Sequence, residues 1–471
     1  MKIRHLILTA TLALSTLCAG AAEPKYIFYF IGDGMGHGHV MATQTFNRVA
    51  LGNPDPLLML RLPVGGVITT YSASSTVTDS AAAGTALATG SKTRNGMLGM
   101  DADTVAVTSV AEHLHNDGWG VGLVTTVAPD DATPGAFYAH VPARRMTYEI
   151  GRQAAESGYE FIAGASWRGR TDRKGNPTDL IDYFRTFPDL DMVSTTDAAR
   201  ASKARRIFLT AENPFNDSNV GYTLDSIPGA LSLPDMTAAC IEHLTRVSPD
   251  RFFIMVEGGN IDHVGHGNDA GAVVIETLNF DKALRHAYDF YLAHPEETLI
   301  IVTADHETGG LSVGNRHVGY QSFTPYILHQ KMSKEQFSTE VKRMLTEGEA
   351  PTWEQFKEFV TAATGLWGPI EVTKAQDAAI YDVFNATFNS RDRIADEKTL
   401  YASYTALAKE VWDVLNDNQG FGWTTSGHSG NPVPVYAIGA GLEELGRWGD
   451  NTEIAPLLLR LTGHSTNDTN H

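Results

Sequence analysis

Four apolar runs set the limits on this chain: residues 25–32 (KYIFYFIG), 121–126 (VGLVTT), 251–256 (RFFIMV) and 298–303 (TLIIVT). Their apolar residues are nearly continuous rather than alternating. A strand wetted on one face alternates, whereas a strand covered on both faces does not. Helix-like stretches lie between them, at 107–117, 236–246 and 271–294. Such alternation predicts an α/β fold with a doubly wound, mostly parallel central sheet and helices on both faces. Hydrophobic residues make up 42% of the 471 and charged residues 19%, enough apolar material for a large core.

Residues 333–418 read differently. Their charged, amphipathic patterns, such as Lys334-Glu335-Gln336-Phe337 and Trp353-Glu354-Gln355-Phe356, predict a helical insertion packed on the sheet. Trp353, Phe356 and Phe359 fit the core of such helices better than a substrate platform. A strand-like stretch follows at 433–438. The expected organisation is a core over 23–332, the insertion over 333–418, a return to the core over 419–463 and a polar tail over 464–471.

Residues 1–22 read as a secretory signal. Lys2, Arg4 and His5 give a basic start, residues 6–17 an apolar run, and residues 19–22 small side chains for cleavage. The protein is therefore expected to be exported, periplasmic or secreted, with no membrane span. Acylation at Cys18 is disfavoured because Leu17 stands where a small residue is wanted. Once the signal is removed, Cys240 is the one cysteine left of two, so no internal disulfide is expected. Its apolar context reads as that of a buried small residue. The net charge of −19 excludes a general nucleic-acid binder, which needs a basic surface.

The acidic residues fall in telling places. Asp33 follows the first apolar run, Asp131 and Thr133 come soon after the second, Glu257 follows the third directly, and Asp305-His306 follow the fourth. In an open parallel sheet the carboxyl ends of the strands form one rim, where ligands bind. One such aspartate alone is ordinarily a turn residue. Several gathered in one pocket need cations, and a metal cluster supplies them. Asp262 and His266, four apart, can reach one ion, and His428 offers a further imidazole. With Asp305 and His306 these mixed nitrogen and oxygen donors suit zinc. Asp131, Thr133 and Glu257 offer only hard oxygen, which suits magnesium. Ser80, in residues 78–85 (TDSAAAGT), opens a helix of small residues, where free N–H groups favour a phosphate. A zinc ion beside its hydroxyl would make it a nucleophile.

These segments carry a resemblance. Residues 78–90 (TDSAAAGTALATG) resemble the nucleophile segment of alkaline phosphatases. The same family is echoed, in order, by residues 31–36 (IGDGMG), 131–134 (DATP), 256–259 (VEGG) with Asp262, His263 and His266, 304–310 (ADHETGG), and His428. The likeness covers about residues 24–320 and 420–460. It implies hydrolysis of phosphate monoesters to alcohol and inorganic phosphate through a phosphoserine on Ser80, with two zinc ions and one magnesium. By that resemblance Asp262, His266 and His428 would hold the first zinc. Asp33, Ser80, Asp305 and His306 would surround the second. Asp33 would also lean toward the magnesium, held by Asp131, Thr133 and Glu257. Arg144, thirteen residues after Asp131, matches the family's phosphate-clamping arginine, and a homodimer is the family's assembly. His263 stands where the best-known bacterial members place a lysine, as in animal members.

Other readings fare worse. A phosphodiesterase on this architecture typically lacks the oxygen-only third site. A sulfatase needs Pro and Arg at set spacing after its nucleophile, but Ser80 is followed by three alanines. A phosphate or metal binder has no use for a serine at a helix start. His37 and His39 are expected to serve the loop rather than a ligand, and His140 the scaffold; whether His263 and His317 touch the site stays open.

Overall fold

The computed structural model describes residues 23–213, 216, 218–347, 350–389, 395–442 and 448–464. The expected signal at 1–22 and all but the first residue of the expected tail lie outside them. A sheet of ten strands forms the frame: β1 (Tyr26–Ile31), β2 (Val64–Thr69), β3 (Gly120–Thr125), β4 (Phe161–Ala165), β5 (Leu190–Val193), β6 (Arg206–Ala211), β7 (Phe252–Glu257), β8 (Thr298–Thr303), β9 (Val433–Gly439) and β10 (Trp448–Asp450). Their spatial order is β10-β2-β9-β8-β1-β7-β3-β4-β6-β5. Only β9 runs antiparallel to its neighbours, β2 and β8. The fold is thus the mostly parallel α/β sheet expected from the four apolar runs, which form β1, β3, β7 and β8 side by side at its centre.

Every residue of β1, β3, β7 and β8 is buried, and the pleat explains why. Successive side chains point to opposite faces. Phe28 and Phe30 meet Phe290 and Phe280 of the helix Ala270–Ala293, at centroid distances of 5.5 and 5.6 Å. Tyr29, between them, meets Phe137 at 6.1 Å, and its hydroxyl donates to the Leu87 carbonyl of the helix Ser80–Thr89. Both faces are covered, so neither tolerates polar alternation. On β3 a Cβ at Gly122 would lie 2.3 Å from the Cys240 sulfur. That glycine lets the helix Leu233–Val247 seat its buried cysteine against the sheet.

Register then fixes the site. Ile31 pairs with Glu257 and with Thr303, and Thr125 pairs with Glu257. The four central strands therefore end level. Asp33, Glu257 and Asp305 lie on one rim because Glu257 is the last residue of β7 and the other two follow β1 and β8 by two residues.

Residues 334–419 build a second apolar cluster from the helices Lys334–Glu347, Trp353–Thr364, Lys374–Phe388 and Ala406–Gln419. Phe337, Phe356 and Trp412 are fully buried there, with Trp353 and Phe359 packed at its margin. Among the described residues no helix is long and apolar enough to cross a membrane.

Candidate active site

Two sets of donor atoms converge on the rim. In the first, His306 Nε2 lies 3.2 Å from Asp33 Oδ1, 3.2 Å from Asp305 Oδ2 and 3.2 Å from Ser80 Oγ. In the second, His266 Nε2 lies 3.3 Å from Asp262 Oδ2 and 3.2 Å from His428 Nε2. The sets adjoin, since the His306 and His428 rings stack at 3.6 Å. These residues come from positions 33 to 428, and no local pattern holds them together.

Several donors are aimed by named contacts. Ser80 is the first residue of its helix because Asp79 caps it, accepting from the Ala82 N–H at 3.0 Å. Asp262 and His266 share one face of the helix Asn260–His266, four residues apart. His266 Nδ1 lies 2.6 Å from the Ser426 carbonyl, and His428 Nδ1 2.8 Å from the Thr78 carbonyl. A carbonyl only accepts, so both Nδ1 atoms carry the proton and both Nε2 atoms offer a lone pair inward.

Gly34 closes the turn after β1. Its φ of +68° suits glycine, and its N–H donates to Asp305 Oδ1 at 3.1 Å. A Cβ there would meet Thr308 Oγ1 at 2.7 Å and Asp262 Oδ1 at 2.9 Å. We expect Gly34→Ala to displace Asp262 and weaken metal binding about 10–100-fold, the usual effect of disturbing a ligand's support. Metal retained after dialysis against graded chelator measures it, and parental retention would refute it.

The electrostatics demand cations. Asp33, Asp131, Glu257, Asp262 and Asp305 are each at most 5% exposed. Burial, then the charges of Asp305 and Asp262, raises the Asp33 carboxyl well above its usual range. Burial and Asp262 raise Asp305 to about 7, and burial raises Glu257 to about 8. Buried anions so placed repel one another unless metal ions neutralise them. Burial also lowers His306 and His428, which stay neutral and able to ligate.

The unpartnered atoms fit such ions. Asp33 Oδ1, Asp262 Oδ2, Asp305 Oδ2, Glu257 Oε1 and Thr133 Oγ1 are buried and make no hydrogen bond. Two groups could each hold one metal among the described residues: Asp33 with Asp305 and His306, and Asp262 with His306 and His428. Glu257 accepts from Thr125 through its other oxygen, and Asp131 and Thr133 bear on it from the helix Ala132–Gly135 that Asp131 caps. These three side chains offer only oxygen donors.

Asp131 stands apart from the other acids. Arg144 Nη2 donates to its Oδ1 at 3.0 Å and Arg168 Nη1 to its Oδ2 at 3.1 Å. Burial opposes its charge, but Arg168 and Arg144 outweigh it and hold the carboxyl below its usual range. Arg144 also reaches Asp79 Oδ2 at 3.5 Å and the Tyr401 hydroxyl at 3.2 Å. The neighbouring Arg145 is exposed.

The remaining histidines sort by position. His263 is buried beside Asp262 and stacks on Tyr401 at 3.8 Å. His39 is fully buried on the helix His37–Val49, 3.8 Å from Glu307, while His37 is exposed. His140 is a scaffold residue, bound to the Gly99 carbonyl and to Glu112 at 2.7 and 2.8 Å. His317 is exposed, and its backbone N–H donates to Asn315. Arg168 and Tyr401 carried no signal in the sequence. Arg168 is placed by Asp130, whose carboxylate accepts from the Arg168 and Gly169 N–H groups. Tyr401 arrives from the helical segment.

The comparisons agree with this geometry. The alkaline phosphatase family model matches residues 24–165 and 179–463. Alkaline phosphatase 4 of Bacillus subtilis is 30% identical over 451 residues, spanning 93% of this chain and 89% of that one. The cold-active alkaline phosphatase of a Shewanella species superposes with a TM-score of 0.76 at 26% identity, covering 93% of this chain and 99% of that one. The Thermus thermophilus alkaline phosphatase gives 0.77 at 27% identity, covering 97% and 96%.

Proposed function

The chain belongs to the alkaline phosphatase family of phosphate monoester hydrolases, and from that premise we propose that it works through a phosphoserine formed on Ser80. The observation that carries this reading is the Ser80 hydroxyl at a helix start, 3.2 Å from His306 Nε2 within a buried set of metal-holding donors. Asp262, His266 and His428 would hold one zinc, and Asp33, Asp305 and His306 a second. Asp131, Thr133 and Glu257, with Asp33 leaning toward them, would hold a magnesium. Bound there, the ions lower the pKa of the attacking hydroxyl and stabilise the entering and leaving oxygens.

The chain's own groups do the rest. Arg144 offers a planar guanidinium, pre-aimed by Asp131 and Asp79, to two phosphoryl oxygens at once. The start of the helix Ser80–Thr89 adds its N–H groups and the positive end of its dipole. Ser80 Oγ attacks phosphorus in line as the alcohol departs. Water then attacks the phosphoserine from the vacated side, returning Ser80 and releasing inorganic phosphate. Export through the segment at 1–22 and assembly as a homodimer complete the proposal.

Comparing an aryl phosphate monoester with the matching diester, alongside elemental analysis of the purified protein, tests it. We expect the monoester to be preferred by at least about a thousandfold, since a diester cannot present the doubly charged phosphoryl group to a guanidinium and three cations. A diester preference, or a protein with one metal per chain, would overturn the assignment.

A further inference from the structure

The helical segment delivers one side chain into the phosphate site. Its two-residue strands Glu397–Lys398 and Ser403–Tyr404 pair as a tight hairpin, closed by the Thr399 N–H donating to the Ala402 carbonyl at 2.9 Å. Tyr401 sits at the tip. Its ring lies flat on His263 at 3.8 Å and edge-on to His266 at 5.4 Å. Its hydroxyl accepts from Arg144 Nη2 at 3.2 Å, the same nitrogen that serves Asp131.

The hairpin is anchored. The Lys334 ammonium, 3% exposed, donates to Glu397 at 3.0 Å and to the Gly267 carbonyl at 2.9 Å. Gly267 ends the helix that carries Asp262 and His266. Lys342 donates to the Ser403 carbonyl at 2.6 Å, and the Thr405 N–H donates to Ser338 at 2.8 Å. The tip is thus tied to the same helix that bears two donors of the second set.

We propose that Tyr401 is a positioning residue for phosphate binding: its hydroxyl holds the Arg144 guanidinium in its clamping orientation, and its ring walls the site above His263 and His266. Two of the three groups on Arg144, Asp79 and Asp131, are anions that pull the guanidinium toward the protein. Tyr401 is the neutral third. It fixes the plane of the fork without competing with phosphate for its charge. Its own O–H proton stays free to face a phosphoryl oxygen. This rests on the reading of Arg144 as the phosphate clamp.

The test uses the zinc- and magnesium-loaded protein. Inorganic phosphate is titrated by calorimetry, and a monoester is used for kinetics. Tyr401→Phe keeps the stacked ring and removes the hydroxyl. We expect it to weaken phosphate binding about tenfold, as loss of a hydrogen bond to a charged group does, and to raise KM by a similar factor with a smaller change in kcat. Metal content and Tm should match the parent. In an Arg144→Ala background the same change should have little further effect, because coupled groups are not additive. Parental phosphate affinity in Tyr401→Phe, or an equal loss in both backgrounds, would overturn the proposal while leaving the clamp intact. Parental affinity in Arg144→Ala alone would instead remove the clamp reading, and the proposal with it.

Discussion

Ser80→Ala should abolish nearly all turnover, with a fall in kcat of roughly a thousandfold or more, the scale seen when a covalent nucleophile is lost. The substitution removes one oxygen at the start of the helix and leaves the remaining donors in place. Ser80 is 1% exposed among small side chains, and alanine is a good residue for a helix's first turn. Zinc and magnesium content should therefore match the parent, and inorganic phosphate should still bind through Arg144. These retained properties separate lost chemistry from a lost site. Acid quenching during turnover should leave phosphate on the peptide containing Ser80 in the parent and none in the variant. Near-parental rates in Ser80→Ala would rule out the covalent route and leave direct attack by water.

Metal removal should have the second large effect, on activity and on the fold together. Thorough chelation should eliminate turnover, and zinc with magnesium should restore it where either ion alone restores less. Stability should fall too, because a ligand bound only by the native state stabilises it by about 4 kcal/mol at a thousandfold excess over its dissociation constant. Without ions, one oxygen each of the buried Asp33, Asp262, Asp305 and Glu257 carboxylates is left without a hydrogen-bond partner. Differential scanning calorimetry before and after chelation reads the loss as a lower Tm. Because ligands bind metal deprotonated, reloading should release protons, which a weakly buffered titration detects. Activity that survives exhaustive chelation would contradict the whole metal assignment.

The central sheet and the donor set were legible in the sequence for a common reason. Strands buried on both faces cannot alternate, so β1, β3, β7 and β8 show as unbroken apolar runs. The residue types just past their ends then name the chemistry. The other strands give weaker signals. Val64–Thr69 contains two glycines and is mostly half-exposed, Leu190–Val193 is a four-residue edge strand, and Phe161–Ala165 is built partly of small residues. Asp33 and His428 are visible because each lies in a distinctive local motif. Arg168 and Tyr401 are not, because what places them is tertiary: two N–H groups seated on Asp130 in one case, a hairpin tied down by Lys334 in the other. No spacing along the chain encodes either.

The carbonyl that fixes the His428 ring belongs to Thr78, 350 positions earlier, and Ser80 likewise meets His306 across 226. Contacts of such high contact order close late in folding. A nascent chain can pair β1, β7 and β8 while the last imidazole of its donor set is still unmade. Such a chain has its central strands paired without a complete seat for its ions. Metal acquisition is thereby deferred until synthesis is almost finished, and a product truncated before residue 428 would lack both that imidazole and β9, the strand that joins β2 to β8.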